Sequence, residues 1–202
     1  MSSKPVDLST FRAPPRTGTV GLMWMLAGIV FLFAWLTYGY LIIRGRSDLA
    51  FISLPLWFWP STLALLVASV MLHGSYLFAK GRRLDLSRRT AFMSLALGGL
   101  FIVLQVPGLI ELIQAHRPGL DDNAMLYRLV VLMIALHGLH VLVGMGLLLH
   151  LNRRLRQHLA HHPRTIRHLL NVGLYWHTMA LIWLVMFGAM LIARGTMPLY
   201  DI

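Results

Sequence analysis

Three histidines lie in strongly apolar stretches of this chain, where an ionisable ring is rare and calls for a functional or structural reason. His137 and His140 belong to the segment ALHGLHVLVG, and His177 belongs to LYWHTMALIW. On a helix, His137 and His140 are about one turn apart and share one face. Because neutral imidazole is a common ligand of metals and of haem iron, these residues are the first candidates for chemistry.

A metal site made from these histidines would lack ligands. Zinc in proteins normally takes three or four side-chain ligands, and the chain contains no cysteine. Haem needs only one histidine from each of two helices at similar depth. At 1.5 Å per residue, His140 and His177 differ in depth by about 3 Å, whereas His137 and His177 differ by about 7 Å. A small membrane cytochrome with haem held by His140 and His177 is therefore one functional hypothesis.

The alternative role of these histidines is structural. A buried imidazole can form a hydrogen bond between helices or reach a lipid. We expect His177 to form such a bond within the pair made by the fourth and fifth helices.

The elements that position these residues are membrane-spanning helices. The chain is 57% hydrophobic and 12% charged, with a mean hydropathy of +0.69. Each of its apolar runs reaches the approximately 20 residues that a spanning helix needs. The runs cover residues 20–43, 54–79, 91–113, 126–150 and 169–193. The sequence thus predicts an all-α integral membrane bundle of five transmembrane helices over 20–193, with a polar segment at 1–19 and a short tail at 194–202.

The distribution of charge predicts the orientation of this bundle. Most of the 18 lysines and arginines precede the first run or lie in the segments after the second and fourth runs. By the positive-inside rule, the N-terminal segment is cytoplasmic and the C-terminal tail is external. The net charge of +11 then reflects topology and contact with anionic phospholipids, and we expect no nucleic-acid partner.

Two motifs resemble a known family. LHGLHVLVG (136–144) followed by LYWHTMALIWLVMF (174–187) resembles the last two helices of subunit III of haem-copper oxidases, in which HGxHV is followed, after one basic loop, by YWHxxxxxW. Residues 55–73 and 97–105 are similar to the second and third helices of that subunit in its short five-helix bacterial form. The residues that match the family motifs are His137, His140, Trp176, His177 and Trp183.

The resemblance implies a non-catalytic subunit of a cytochrome c or quinol oxidase in the bacterial inner membrane. It implies no catalytic residue, metal or cofactor on this chain, with haem and copper on the partner catalytic subunit I. The expected partners are subunit I, the other oxidase subunits and membrane phospholipids. The matching motif residues would hold the helix bundle and a lipid cleft.

The chain departs from the family at three membrane carboxylates. Where family members usually carry glutamate in the first and third helices, this sequence has Gly28-Ile29 and Gly108, and Ala180 stands where an aspartate is usual. Glu111, one turn beyond Gly108, is a candidate substitute. The resemblance therefore indicates a divergent member. Accessory proteins of nitric oxide reductases have the same general form and are an alternative.

Overall fold

The structure is a computed structural model that describes residues 17–45, 54–115, 124–156 and 163–195. Over these residues the backbone forms five α-helices and no strand. They are α1 (Thr17–Gly45), α2 (Phe58–Lys80), α3 (Leu84–Ala115), α4 (Ala124–Arg156) and α5 (Pro163–Gly195). All five are long and apolar enough to cross a membrane. The predicted all-α, five-helix membrane architecture is confirmed.

The helices extend beyond the apolar runs. The helix α3 begins at Leu84, seven residues before the predicted run, and α4 continues as far as Arg156. A helix that continues into the membrane interface keeps its backbone groups hydrogen-bonded within itself. The helices therefore do not end where the polar residues begin. The predicted segments 1–19 and 194–202 lie outside the described residues, except for the helix ends at 17–19 and 194–195.

Consecutive helices run antiparallel. The Ser94 hydroxyl donates to the carbonyl of Ala68 at 2.8 Å, and the Ser75 hydroxyl donates to the carbonyl of Ser87 at 2.9 Å. Residue numbers therefore rise along α2 as they fall along α3, and these two helices share the most extensive contact in the bundle. The same reversal joins α3 to α4, where the Asn152 amide donates to the carbonyl of Ala91 at 3.2 Å and Nε of Arg88 donates to the carbonyl of Leu155 at 2.8 Å.

The last helix is the centre of the bundle. The helix α5 packs against α1, α2 and α4. In its most apolar window 56% of the residues are buried, whereas the figure for α1 is 11%. The motif-bearing α5 is thus the core of the fold, and α1 lies at its edge with most of its apolar surface exposed.

A stripe of small residues on α2 allows this close packing. The sequence predicts a face of α2 on which another helix can approach closely. The small residues of that face are buried in the structure: Ser61, Thr62, Ala64, Ala68 and Ser69. The prediction is confirmed, and two of these hydroxyl groups receive side chains of α5.

Candidate functional site

The YWH segment of α5 contacts three different helices through three successive side chains. The Tyr175 hydroxyl donates to the backbone carbonyl of His140 on α4 at 2.7 Å. The ring of Trp176, which is only 1% exposed, lies against glycines of α3 and α4. His177 turns to α2. Successive residues of a helix point about 100° apart, so three adjacent side chains can tie α5 to its neighbours on several sides.

Two glycines make room for the ring of Trp176. A Cβ atom on Gly98 of α3 would lie 2.9 Å from this ring and 2.7 Å from the sulfur of Met145. A Cβ atom on Gly144 of α4 would lie 3.0 Å from the ring of Tyr175 and 3.1 Å from that of Trp176. A side chain at Gly98 would therefore force a neighbour to move, and one at Gly144 would require the two rings to shift by a few tenths of an ångström. The absence of side chains at both positions lets α3, α4 and α5 pack closely here.

His177 finds its partner on α2. Its Nδ1 atom and the hydroxyl of Ser69 share a hydrogen bond of 2.5 Å, and its ring centroid lies 5.8 Å from that of His73. The expectation that His177 bonds within the pair of α4 and α5 is therefore wrong. His177 is at a similar depth to His140 of α4, but α2 lies on the side of α5 to which residue 177 points.

Trp183, the last residue of the YWHxxxxxW motif, forms a further hydrogen bond to α2. Its indole N–H donates to the hydroxyl of Thr62 at 2.8 Å, and that hydroxyl donates to the carbonyl of Phe58 at 2.6 Å. The indole also meets the rings of Phe58 and Phe101 edge-on, each with centroids 5.8 Å apart. Edge-to-face contacts of this kind add to the stability that burial supplies.

The two histidines of α4 surround one ring of α1. The centroid of Phe33 lies 6.1 Å from His137 and 5.6 Å from His140, with both pairs edge-on. The predicted common face is therefore confirmed. The Nδ1 atom of His140 is 2.7 Å from the carbonyl of Leu136, and because a carbonyl can only accept, a hydrogen bond between them requires the proton on Nδ1.

Two motif residues, His137 and Trp176, have buried polar side-chain atoms without a hydrogen-bond partner among the described residues, and of the two only His137 lines a cavity. The side chain of His137 is 1% exposed, and neither ring nitrogen has a hydrogen-bond partner among the described residues. The ring lies 5.2 Å from that of Trp183 and lines a cavity of about 320 Å³ beside Gln105 of α3. The sequence identified the histidine as a candidate but did not indicate the cavity or the position of Gln105 in its wall.

The two residues expected as haem ligands contact different helices. His140 is turned toward Phe33 of α1, and His177 bonds Ser69 of α2. Among the residues that the structure describes, no three histidine, aspartate or glutamate side chains cluster as a metal site would require.

The three positions at which the family that the motifs resemble usually carries a carboxylate differ in what surrounds them. A Cβ atom on Gly108 would lie 2.6 Å from the ring of Phe58, so a glutamate there would collide with α2. A Cβ atom on Gly28 would meet nothing within 4 Å, and Ala180 is buried. Glu111 is exposed and does not occupy the packed position of Gly108.

Comparisons with known proteins return no assignment: no protein-family model and no curated protein matches this chain. The candidate site is a set of motif side chains that join five helices, together with one cavity whose polar atoms are unpaired.

Proposed function

We propose that this chain is a non-catalytic, subunit III-like component of a bacterial respiratory haem-copper terminal oxidase. It would lie in the inner membrane with its N-terminus in the cytoplasm, beside a catalytic subunit I that carries the haem and copper. The observation that supports this proposal most strongly is that the side chains of the YWHxxxxxW motif bind α5 to its neighbouring helices. Three side chains of this motif form hydrogen bonds to neighbouring helices: Tyr175, His177 and Trp183. Such bonds hold the helix bundle together, as expected for a subunit whose role is to stabilise its complex.

The energetics of these contacts favour a structural role. Helices in a bilayer gain little from the hydrophobic effect and associate through close packing and interhelical hydrogen bonds, each worth about 0.6–2 kcal/mol. Three such bonds and the glycine contacts of Trp176 converge on α5. A bundle fixed in this way presents a rigid surface to a larger partner.

The outer surface of the bundle suits lipid and protein contacts within a membrane. Trp24 and Phe31 of α1 are more than two-thirds exposed, and Arg153, Arg154 and Arg156 end α4. Basic residues beside a spanning helix attract anionic headgroups, at about 1 kcal/mol for each residue near the surface. We propose that phospholipids and subunit I share this surface.

Replacing His177 with alanine is expected to weaken retention of this chain by its partner without altering the chemistry of oxygen reduction. Loss of the hydrogen bond to Ser69 lowers the stability of the bundle by about 0.5–1.5 kcal/mol. If all of this free energy is lost from the association with the partner subunit, the dissociation constant rises about two- to tenfold. The measurement is the fraction of chain that copurifies with the haem-containing subunit, together with oxygen consumption per haem.

His73→Ala is the matched control, because His73 neighbours His177 but is exposed. It should leave retention unchanged. A large fall in turnover by fully assembled His177→Ala complexes would contradict the proposal, since it would give His177 a part in the reaction.

A further inference from the structure

A cavity of about 320 Å³ lies between α3 and α4. Its α3 wall includes Phe101, Gln105 and Val106, and its α4 wall includes His137, Gly138 and Leu142. Val106, Leu139 and Leu142, which also line it, are each more than half exposed. In a membrane these side chains face lipid, so the cavity opens sideways to the bilayer rather than to water.

The polar atoms in this cavity lack partners. Both ring nitrogens of His137 and both amide atoms of Gln105 are buried without a hydrogen bond among the described residues. His137 as a whole is 1% exposed. Because buried polar groups in native proteins are nearly always paired, unpaired donors and acceptors on two side chains that line one cavity indicate a bound molecule, which they reach by a small side-chain rotation.

The depth of these atoms restricts the kind of molecule. On α4, His137 lies about 5 Å from the point midway between Arg128 and Arg153, and on α3, Gln105 lies about 8 Å from the point midway between Arg89 and Glu111. The hydrocarbon core extends about 15 Å on either side of its centre. The site is therefore well inside the hydrocarbon, below the level of phospholipid headgroups.

An uncharged ligand suits such a site. The other lining residues are mostly apolar, and a charge at this depth would be strongly unfavourable. A neutral imidazole donates from one nitrogen and accepts at the other, and the Gln105 amide also does both. Together they can bind an oxygen that accepts as a carbonyl or donates as a hydroxyl.

We infer that this pocket binds the neutral ring of a membrane quinone or quinol, whose oxygen is hydrogen-bonded by Gln105 and His137. The ester carbonyl of a glycerolipid offers similar acceptor chemistry, but it lies near the edge of the hydrocarbon core. The quinone ring instead lies at the depth of Gln105 and His137, and the apolar tail of the quinone extends into the bilayer through the sideways opening. This inference goes beyond the proposed function and does not rest on it.

Two glycines of α4 provide the test. Gly138 lines the cavity, Gly146 is exposed two turns away, and a Cβ atom on either would meet nothing within 4 Å. Gly138→Leu fills the pocket, whereas Gly146→Leu makes the same chemical change outside it. The full-length chain in mild detergent is titrated with decylubiquinone, a short-chain benzoquinone, and bound molecules are counted by native mass spectrometry. A second titration uses dioleoylphosphatidylcholine.

The expected result is one bound quinone per chain, weakened at least tenfold by Gly138→Leu and unchanged by Gly146→Leu. Gln105→Leu should weaken binding about three- to tenfold through loss of one hydrogen-bonding group. Its control, Gln114→Leu, alters an exposed residue of the same helix and should have no effect. Equal binding by the two glycine variants would overturn the inference. So would binding that depends on Gly138 but is specific to the diacyl lipid.

Discussion

Replacing Trp183 with alanine should lower the free energy of unfolding by about 3–5 kcal/mol, the range for removing a large buried aromatic side chain. The indole is 1% exposed, donates to Thr62 and contacts the rings of His137 and Phe101. Its removal would enlarge the cavity beside His137 and separate α5 from α2. The measurement is reversible unfolding in mixed micelles, followed by far-ultraviolet circular dichroism as the denaturing detergent is increased.

The control for this prediction is Trp24→Ala. Trp24 is 76% exposed on α1, so its removal takes away little contact within the chain and should shift stability by less than about 0.5 kcal/mol. Equal effects of the two substitutions would contradict the central position given to α5.

Replacing Gly98 with leucine is expected to destabilise the bundle by about 1–3 kcal/mol or more through overpacking. A Cβ atom here would lie 2.9 Å from the buried ring of Trp176, which is enclosed by α3, α4 and α5 and has little room to move. Gly99→Leu is the matched control, because the nearest atom to its Cβ is the terminal methyl carbon of Met145 at 3.9 Å.

Both substitutions exchange glycine for a better helix former, so the gain in helix propensity is common to them. Their difference in unfolding midpoint therefore reports the collision alone. If Gly99→Leu proved as destabilising as Gly98→Leu, the close meeting of three helices at Trp176 would be wrong.

The number of helices could be predicted from the sequence because the bilayer imposes a length on each apolar run. The contact between α2 and its neighbours was also predictable, since Ser61, Ala68 and Ser69 form a stripe of small residues at helical spacing. Both features depend on local composition, which a single sequence records directly.

The partners of the motif residues could not be predicted in the same way. Membrane helices are apolar on most faces, so the pattern of hydrophobic residues does not show which side meets which neighbour. Depth can be counted along the chain, and it placed His177 level with His140, but only three-dimensional packing brings Ser69 to its ring. The collision that excludes a side chain at Gly108 also comes from a distant segment, through Phe58.

The most direct test of the proposed function is a native mass spectrum of the particle that contains this chain, tagged at its N-terminus and extracted from its own membrane in mild detergent. We predict a stoichiometric assembly with a large subunit that carries haem and copper, and a chain free of haem when it dissociates. A lone chain or homo-oligomer that retains a haem-sized mass would contradict the proposal and would make the histidines of α4 and α5 cofactor ligands.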